Sequence, residues 1–140
     1  MRHLSTAALI RRDDKLLFVR RPPGGDLSEC WELPGGKVDA GEQPRQALRR
    51  ELLEELGVDS SVGPAAGEAH FSQGTKAFRL IGYEVELDCD AIELHEHEEM
   101  AFLTVEAALA LRLAPSDAAL LRAVRERIDD VIPGDDPTPR

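Results

Sequence analysis

Basic residues, paired cysteines and long apolar runs are all scarce in this 140-residue chain, and each scarcity removes a class of function. Lys and Arg number 17 against 27 Asp and Glu, giving a formal net charge of −10. A surface of that sign repels polyanions, so no nucleic-acid groove is expected. A small phosphate-rich molecule remains compatible if a metal and a few local arginines outweigh the field. Cys30 and Cys89 stand far apart without CxxC spacing, and are expected to be free, reduced thiols. The apolar run at 7–10 is cut short by Arg11, Arg12, Asp13 and Asp14. It is too short for a signal-peptide core, and no run approaches a membrane span. A soluble, cytoplasmic protein is expected, monomer or homodimer, with no nucleic-acid and no membrane partner. The length suits one domain with a full core, and neither a repeat nor a second domain is evident.

What is present gathers at 36–58, GKVDAGEQPRQALRRELLEELGV. Residues 44–56 contain no glycine and no β-branched residue, and proline stands only at the first position, where its missing N–H is harmless. Gly57 supplies a left-handed stop. A helix over 44–56 is therefore predicted, with Leu48, Leu52 and Leu56 as its apolar stripe. Glu51, Glu54 and Glu55 fall at i, i+3 and i+4, so their carboxylates share one flank. Like charges at that spacing repel by roughly 0.2–0.5 kcal/mol per pair. A divalent cation between them would relieve this, and Mg²⁺ prefers such hard oxygen ligands. A solvated acidic face, with Arg50 partly neutralising Glu54, is the plainer reading of the triplet alone.

The spacing of the whole stretch is more specific. Gly36 is followed after five residues by Glu42, then after seven by Arg50-Glu51-Leu52, one residue, Glu54-Glu55, one residue, and Gly57-Val58. This resembles the Nudix box, G-x5-E-x7-R-E-U-x-E-E-x-G-U with U a bulky aliphatic, at every defined position. The resemblance, to MutT-like Nudix hydrolases, runs through nearly the whole chain. It implies an α/β fold, an α/β/α sandwich with a mixed, largely antiparallel sheet. The domain would occupy 1–128, with 129–140 (DDVIPGDDPTPR) a Pro-, Gly- and Asp-rich disordered tail.

Along the rest of the chain, 4–11 and 15–21 read as a hairpin about Asp13-Asp14. Arg20 and Arg21 close its second strand, either as an exposed strand end or, by the family resemblance, as nucleotide contacts, Arg21 the firmer. PPGGD at 22–26 reads as a loop. In WELPGGK (31–37) the adjacent glycines allow close backbone approach to a ligand. The resemblance places a metal-ligating carbonyl at Gly35, and Lys37 is a candidate phosphate contact. Residues 65–71 and 76–86 read as an antiparallel pair. Phe78 is expected in the core, and Phe71, near the turn, is the better candidate to stack on a base. The cluster ELHEHEE (93–99) invites a zinc reading, but no second histidine pair stands at ligand spacing. The resemblance instead makes Glu96 the carboxylate outside the box, with Glu98 and Glu99 as alternatives. Residues 101–104 read as a strand, 105–111 as a short helix and 116–128 as a longer one. Ser116 or Asp117 can cap the latter; by resemblance, Asp117 is the residue that bonds the base edge. LAPSD (113–117) and the His-Glu-His triplet are similar to the CTP pyrophosphohydrolase branch. An ionised Asp117 accepts only, which suits the exocyclic amine of cytosine or a modified purine with a donor there.

The function the resemblance implies is Mg²⁺-dependent hydrolysis of a nucleoside triphosphate to monophosphate and pyrophosphate, with Mn²⁺ able to replace Mg²⁺. Glu54, Glu55 and the Gly35 carbonyl would hold metal. Glu51 would complete the set or act as general base, with Glu96 second for either role, and Glu42 would join them or hold the loop. Arg50 would orient the glutamates, as a bidentate guanidinium can. Two alternatives stay open on sequence: hydrolysis of another nucleoside diphosphate compound such as ADP-ribose, and a catalytically silent nucleotide-binding module.

Overall fold

The computed structural model describes residues 2–130. Seven strands and three helices follow in the order β1 (Arg2–Arg12), β2 (Lys15–Arg20), β3 (Trp31–Glu32), β4 (Gly35–Lys37), α1 (Pro44–Leu56), β5 (Ser60–Gln73), β6 (Lys76–Leu87), β7 (Glu99–Leu103), α2 (Val105–Leu109) and α3 (Pro115–Asp130). The segment read as a tail divides: 129–130 close α3, and 131–140 lie outside the described residues.

Strand β1 is the hub. Along most of its length it runs parallel to β6, from Arg2↔Ala77 to Ile10↔Val85. On its other edge Ser5, Thr6 and Ala7 pair antiparallel with Lys37, Gly36 and Gly35 of β4. Its end forms the expected hairpin with β2, where Arg12 pairs Lys15. β2 in turn carries β3 on one edge and β7 on the other, both antiparallel. Only β1 and β6 run parallel among these named pairs, so the sheet is mixed and largely antiparallel.

Two helices cover the two faces. Successive strand side chains point to opposite sides, and here both sides are buried. Ala7, Leu9, Leu16 and Phe18 meet Leu120, Leu121 and Val124 of α3. Ala8, Ile10, Leu17 and Val19 meet Leu48, Leu52 and Leu56 of α1. Two-sided burial explains why 7–10 and 16–19 read as unbroken apolar runs rather than alternating ones. The α/β/α sandwich follows from that composition. No helix among the described residues is long and apolar enough to cross a membrane.

Strand β5 is longer than the sequence suggests. It begins at Ser60, and its register with β6 shifts between Val62 and Ala65 and again between Ala65 and Gly67. Gly63 and Pro64 lie ahead of the strand predicted at 65–71, but an edge strand absorbs such residues in bulges. Its turn joins Gln73 to Lys76 as expected.

Leu52 is fully buried on α1, whereas its neighbour Leu53 is half exposed. Leu52→Ala should therefore cost about 2–5 kcal/mol, and Leu53→Ala within about 0.5 kcal/mol. Urea unfolding of both variants measures this, and equal losses would refute the assigned packing face.

Candidate active site

The floor of the site is the contact between α1 and β4. Helix α1 spans the predicted residues, with Pro44 in its first turn and Gly57 left-handed at its end (φ 70°), donating to the Leu53 carbonyl at 3.0 Å. Its buried stripe fixes its rotation on the sheet and turns Glu51 and Glu55 toward the glycine pair. Gly35 has φ +146°, and a Cβ there would strike the Thr6 carbonyl and Ala7 Cα. At Gly36 a Cβ would strike the Glu51 carboxyl group. Both glycines are thus required by close approach, one of backbone and one of a carboxylate. Gly35 N–H donates to Glu55 Oε1 at 3.4 Å, and Thr6 Oγ1 donates to the Gly36 carbonyl at 3.0 Å.

Arg50 gathers the acids of the loop. Its Nε and Nη2 form a fork on Glu42 at 2.7 and 2.9 Å, and Nη2 also donates to the Lys37 carbonyl at 3.2 Å. Nη1 reaches Glu51 Oε2 at 3.2 Å and Glu54 Oε2 at 3.3 Å. These bonds, with one from Asp39 N–H, hold the Glu42 carboxyl down at about 2. Arg50 and Glu42 therefore act as a clasp between loop and helix.

The 93–97 loop supplies the far wall by capping α1. Glu93 N–H donates to the Leu56 carbonyl at 2.9 Å, His95 N–H to that of Glu55 at 3.0 Å, and His95 Nδ1 lies 2.9 Å from that of Glu54. Helix carbonyls that would otherwise lack partners are satisfied, and the loop is held beside Glu55. The His-Glu-His triplet then points three ways. His95 caps the helix, Glu96 lines the cleft, and His97 Nε2 lies 2.9 Å from Glu32 Oε2.

The resulting cleft, of about 490 Å³, is lined by the acids Glu51, Glu55 and Glu96 together with the cations Arg21 and Lys37. Glu55 is only 3% exposed. Burial first, then a hydrogen bond and charge from Glu51 and the charge of Glu96, push its pKa well above the carboxylate range. Glu54, half exposed, is turned to Arg50 rather than into the cleft. Arg20 takes a different direction from Arg21. It is committed to Glu99 at 3.1 Å, Glu29 at 3.5 Å and Glu98 at 3.9 Å, and does not line the cleft. Those contacts also bind Glu98 and Glu99 to Arg20 instead of the acid cluster.

Phe71 lies apart, in an apolar hollow of about 520 Å³ with Leu27, Pro115 and Ala119. Phe78 is not in the core: it is stacked between Phe71 and His3, with centroids 4.9 Å apart in each pair. Asp117 stands between hollow and cleft, because Ser116 lines the hollow while its own carboxylate accepts from Leu33 N–H at 2.8 Å. It bonds the WELPGGK strand instead of capping α3. At 7% exposure, burial above all and then the Glu32 charge raise its pKa to about 7. Burial thus works against the ionised, purely accepting form of Asp117.

The NUDIX domain matches residues 1–124. The chain belongs to the Nudix family. It is similar to the CTP pyrophosphohydrolase of Escherichia coli, 38% identical over 117 residues, covering 84% of this chain and 87% of that one. The putative 8-oxo-dGTP diphosphatase 2 of Mycobacterium tuberculosis is 34% identical over 120 residues, covering 84% of each chain. Among solved structures, the ORF135 protein of E. coli superposes with TM-score 0.80 at 34% identity, covering 96% of this chain and 95% of that chain. The MutT protein of Methanosarcina mazei superposes with TM-score 0.75 at 29% identity, covering 92% of this chain and 94% of that chain.

Nudix hydrolases generally use divalent metal ions, and the residues of this cleft fit such an ion. The donors at hand are all hard oxygens. Glu51, Glu55 and Glu96 bring together carboxyl groups whose mutual repulsion a cation would relieve, and burial with these neighbours already pushes the Glu55 carboxyl up. Among the described residues no three acidic, histidine or cysteine side chains form a finished cage; Glu54 would have to leave Arg50 to join.

Sequence reasoning missed Glu32 and His97, both lining the Nudix cleft. Their signal was present in the WELPGGK and His-Glu-His stretches, but it takes the fold to bring residues 65 positions apart together.

Two outcomes are expected from this geometry. Gly36→Ala should displace the Glu51 carboxylate and lower turnover on the order of a hundredfold with little change in melting temperature; full activity would exclude the close approach. Asp117 has a folded pKa above its unfolded value of 3.8, so its stabilising contribution is full below pH 3.8 and is lost as pH rises through about 7. Asp117→Asn should therefore gain in melting temperature relative to the parent between pH 4 and pH 8. A gap that narrows would contradict the buried, protonated carboxyl.

Proposed function

We propose that the chain is a Mg²⁺-dependent nucleoside triphosphate pyrophosphohydrolase, with Mn²⁺ as substitute, which sanitises the nucleotide pool by converting (d)CTP-like or oxidised nucleotides to monophosphate and pyrophosphate. The observation that carries this is one cleft lined by Glu51, Glu55 and Glu96, by Gly35 and Gly36, and by Arg21 and Lys37. The named activities of the two similar enzymes support the substrate class.

Glu51, Glu54, Glu55, Glu96 and the Gly35 carbonyl would hold the metal. When bound, it supplies Lewis-acid stabilisation of phosphate charge and eases deprotonation of water. Arg21 and Lys37 bind phosphate oxygens and orient the chain. Glu51, with Glu96 second, takes the proton of the attacking water. Arg50 keeps Glu51 aimed through its Nη1, and Glu54 would exchange its bond to Arg50 for the metal. The base lies against Phe71 in the apolar hollow, its edge read by Asp117. An Asp117 near its midpoint suits either the donor amine of cytosine or an acceptor on a modified purine.

The test is pyrophosphate release with and without Mg²⁺ from CTP, dCTP, 5-methyl-dCTP, 8-oxo-dGTP and dATP, with ADP-ribose as control. Metal-dependent release from a cytidine or oxidised nucleotide is expected, with Glu54→Gln folded and nearly inactive. Silence on every triphosphate, with turnover of ADP-ribose, would overturn the reading.

A further inference from the structure

We propose that His97 is a positioning residue for Arg21: acting through Glu32, it holds the Arg21 guanidinium toward the phosphate end of the cleft. The inference rests on reading this cleft as a triphosphate site, and it identifies what fixes the site's cationic wall.

Both oxygens of Glu32 are engaged. Oε1 accepts from Arg21 Nε at 3.0 Å, and Oε2 lies 2.9 Å from His97 Nε2. An ionised carboxylate only accepts, so Nε2 carries the proton and donates. Glu32 is thereby held from both sides in one rotamer, with its side chain 15% exposed. The backbones around it are pinned as well. Glu32 pairs with Val19 in the sheet, Arg21 N–H donates to the Cys30 carbonyl at 2.9 Å, and Glu98 N–H donates to the Arg20 carbonyl at 2.9 Å.

The state of His97 argues that the contact with Glu32 is its purpose. Its side chain is 6% exposed, and its Nδ1 is buried with no hydrogen bond in the chain. A leucine or methionine would fill similar space without leaving a buried polar atom unpaired. Packing alone therefore does not account for a histidine here.

Arg21 is the end of the chain of contacts. Among the described residues only its Nε is bonded, which leaves Nη1 and Nη2 for a ligand in the cleft it lines. An arginine this exposed loses rotamer entropy when it grips an anion. Anchoring Nε beforehand removes much of that cost, so the benefit falls on substrate binding. It is common to all bases, because phosphate is common to all.

The experiment compares His97→Leu, His97→Gln, Glu32→Leu and Arg21→Ala, and combines His97→Leu with Arg21→Ala. His97→Leu is expected to raise KM about five- to tenfold for every triphosphate, with kcat within about twofold. His97→Gln, whose amide can still donate to Glu32, should restore KM, and His97→Leu should add nothing in the Arg21→Ala background. A readout independent of turnover is the Arg21 Nε–H resonance in the free protein. It should be protected in the parent and in His97→Gln, and lose protection in His97→Leu and Glu32→Leu. If His97→Leu does not fold, Glu32→Leu takes its place in the cycle with Arg21. Additive losses, an unmoved Nε–H resonance, or an altered order of bases at unchanged common KM would overturn the proposal. An Arg21→Ala variant with parental KM would instead defeat the reading of Arg21 as a phosphate contact, while the resonance still judged the link from His97.

Discussion

The site depends on one guanidinium. Four glutamates of the box, at 42, 51, 54 and 55, lie on one short loop and helix, and their repulsion would spread them if nothing stood between. Arg50 bonds three of the four directly and the Lys37 carbonyl besides. Its planar fork satisfies both oxygens of Glu42 while Nη1 faces the other two acids, a geometry a lysine ammonium lacks. The fourth acid, Glu55, is managed differently. It is buried, protonated, and held by the Gly35 amide and Glu51. Loop and helix therefore set three acids against one guanidinium and leave a sheltered fourth, Glu55, beside Gly35. A divalent cation held by these carboxylates would offset their charge.

How much of this could be read from sequence differs by range of interaction. Helix α1 was legible to the residue, because leucine spacing, a leading proline and a terminal glycine are local signals that agree. The hairpin of β1 and β2 and the turn before Lys76 were legible for the same reason. The parallel pairing of β1 with β6 was not, because it joins residues about 75 apart and leaves no local trace. The start of β5 was hidden by Gly63 and Pro64, which lie ahead of the predicted strand yet sit in a bulged edge. Arg20 and Arg21 show the limit most clearly. They are adjacent and chemically identical, but strand alternation sends one to the Glu29, Glu98 and Glu99 cluster and the other to the cleft. Box spacing could mark the glutamates, whereas the direction of a side chain at a strand end required the sheet.

The His-Glu-His triplet makes the same point about short motifs. Three neighbouring residues that suggest a common ligand set serve three separate purposes, because the backbone bends at His95 and Glu96 and sends the two histidines to different partners. His95 completes the helix end, and this in turn determines where Glu96 stands. Gly57 is part of the arrangement. The ring of His95 lies 3.1 Å from where a Cβ would be at that position, so the helix stop is also the seat for the capping histidine. The box glycine thus contributes to placing a carboxylate nearly forty residues away.

Charge sets the last constraint on the site. A chain of net charge −10 that receives a triphosphate must oppose the field locally, since ions screen distant charges beyond about 8 Å at physiological salt. Near the cleft, Arg50 and Arg20 are each committed to several glutamates, and neither adds free positive charge. Arg21 and Lys37 remain, among a lining that also holds Asp39, Glu51 and Glu96. Two cations against that many acids cannot hold a polyanion by side chains alone. The balance turns only when divalent charge enters among the carboxylates, which converts the acidic wall from a barrier into the binding surface. Substrate affinity and metal binding are on this argument one linked equilibrium, so each should tighten the other.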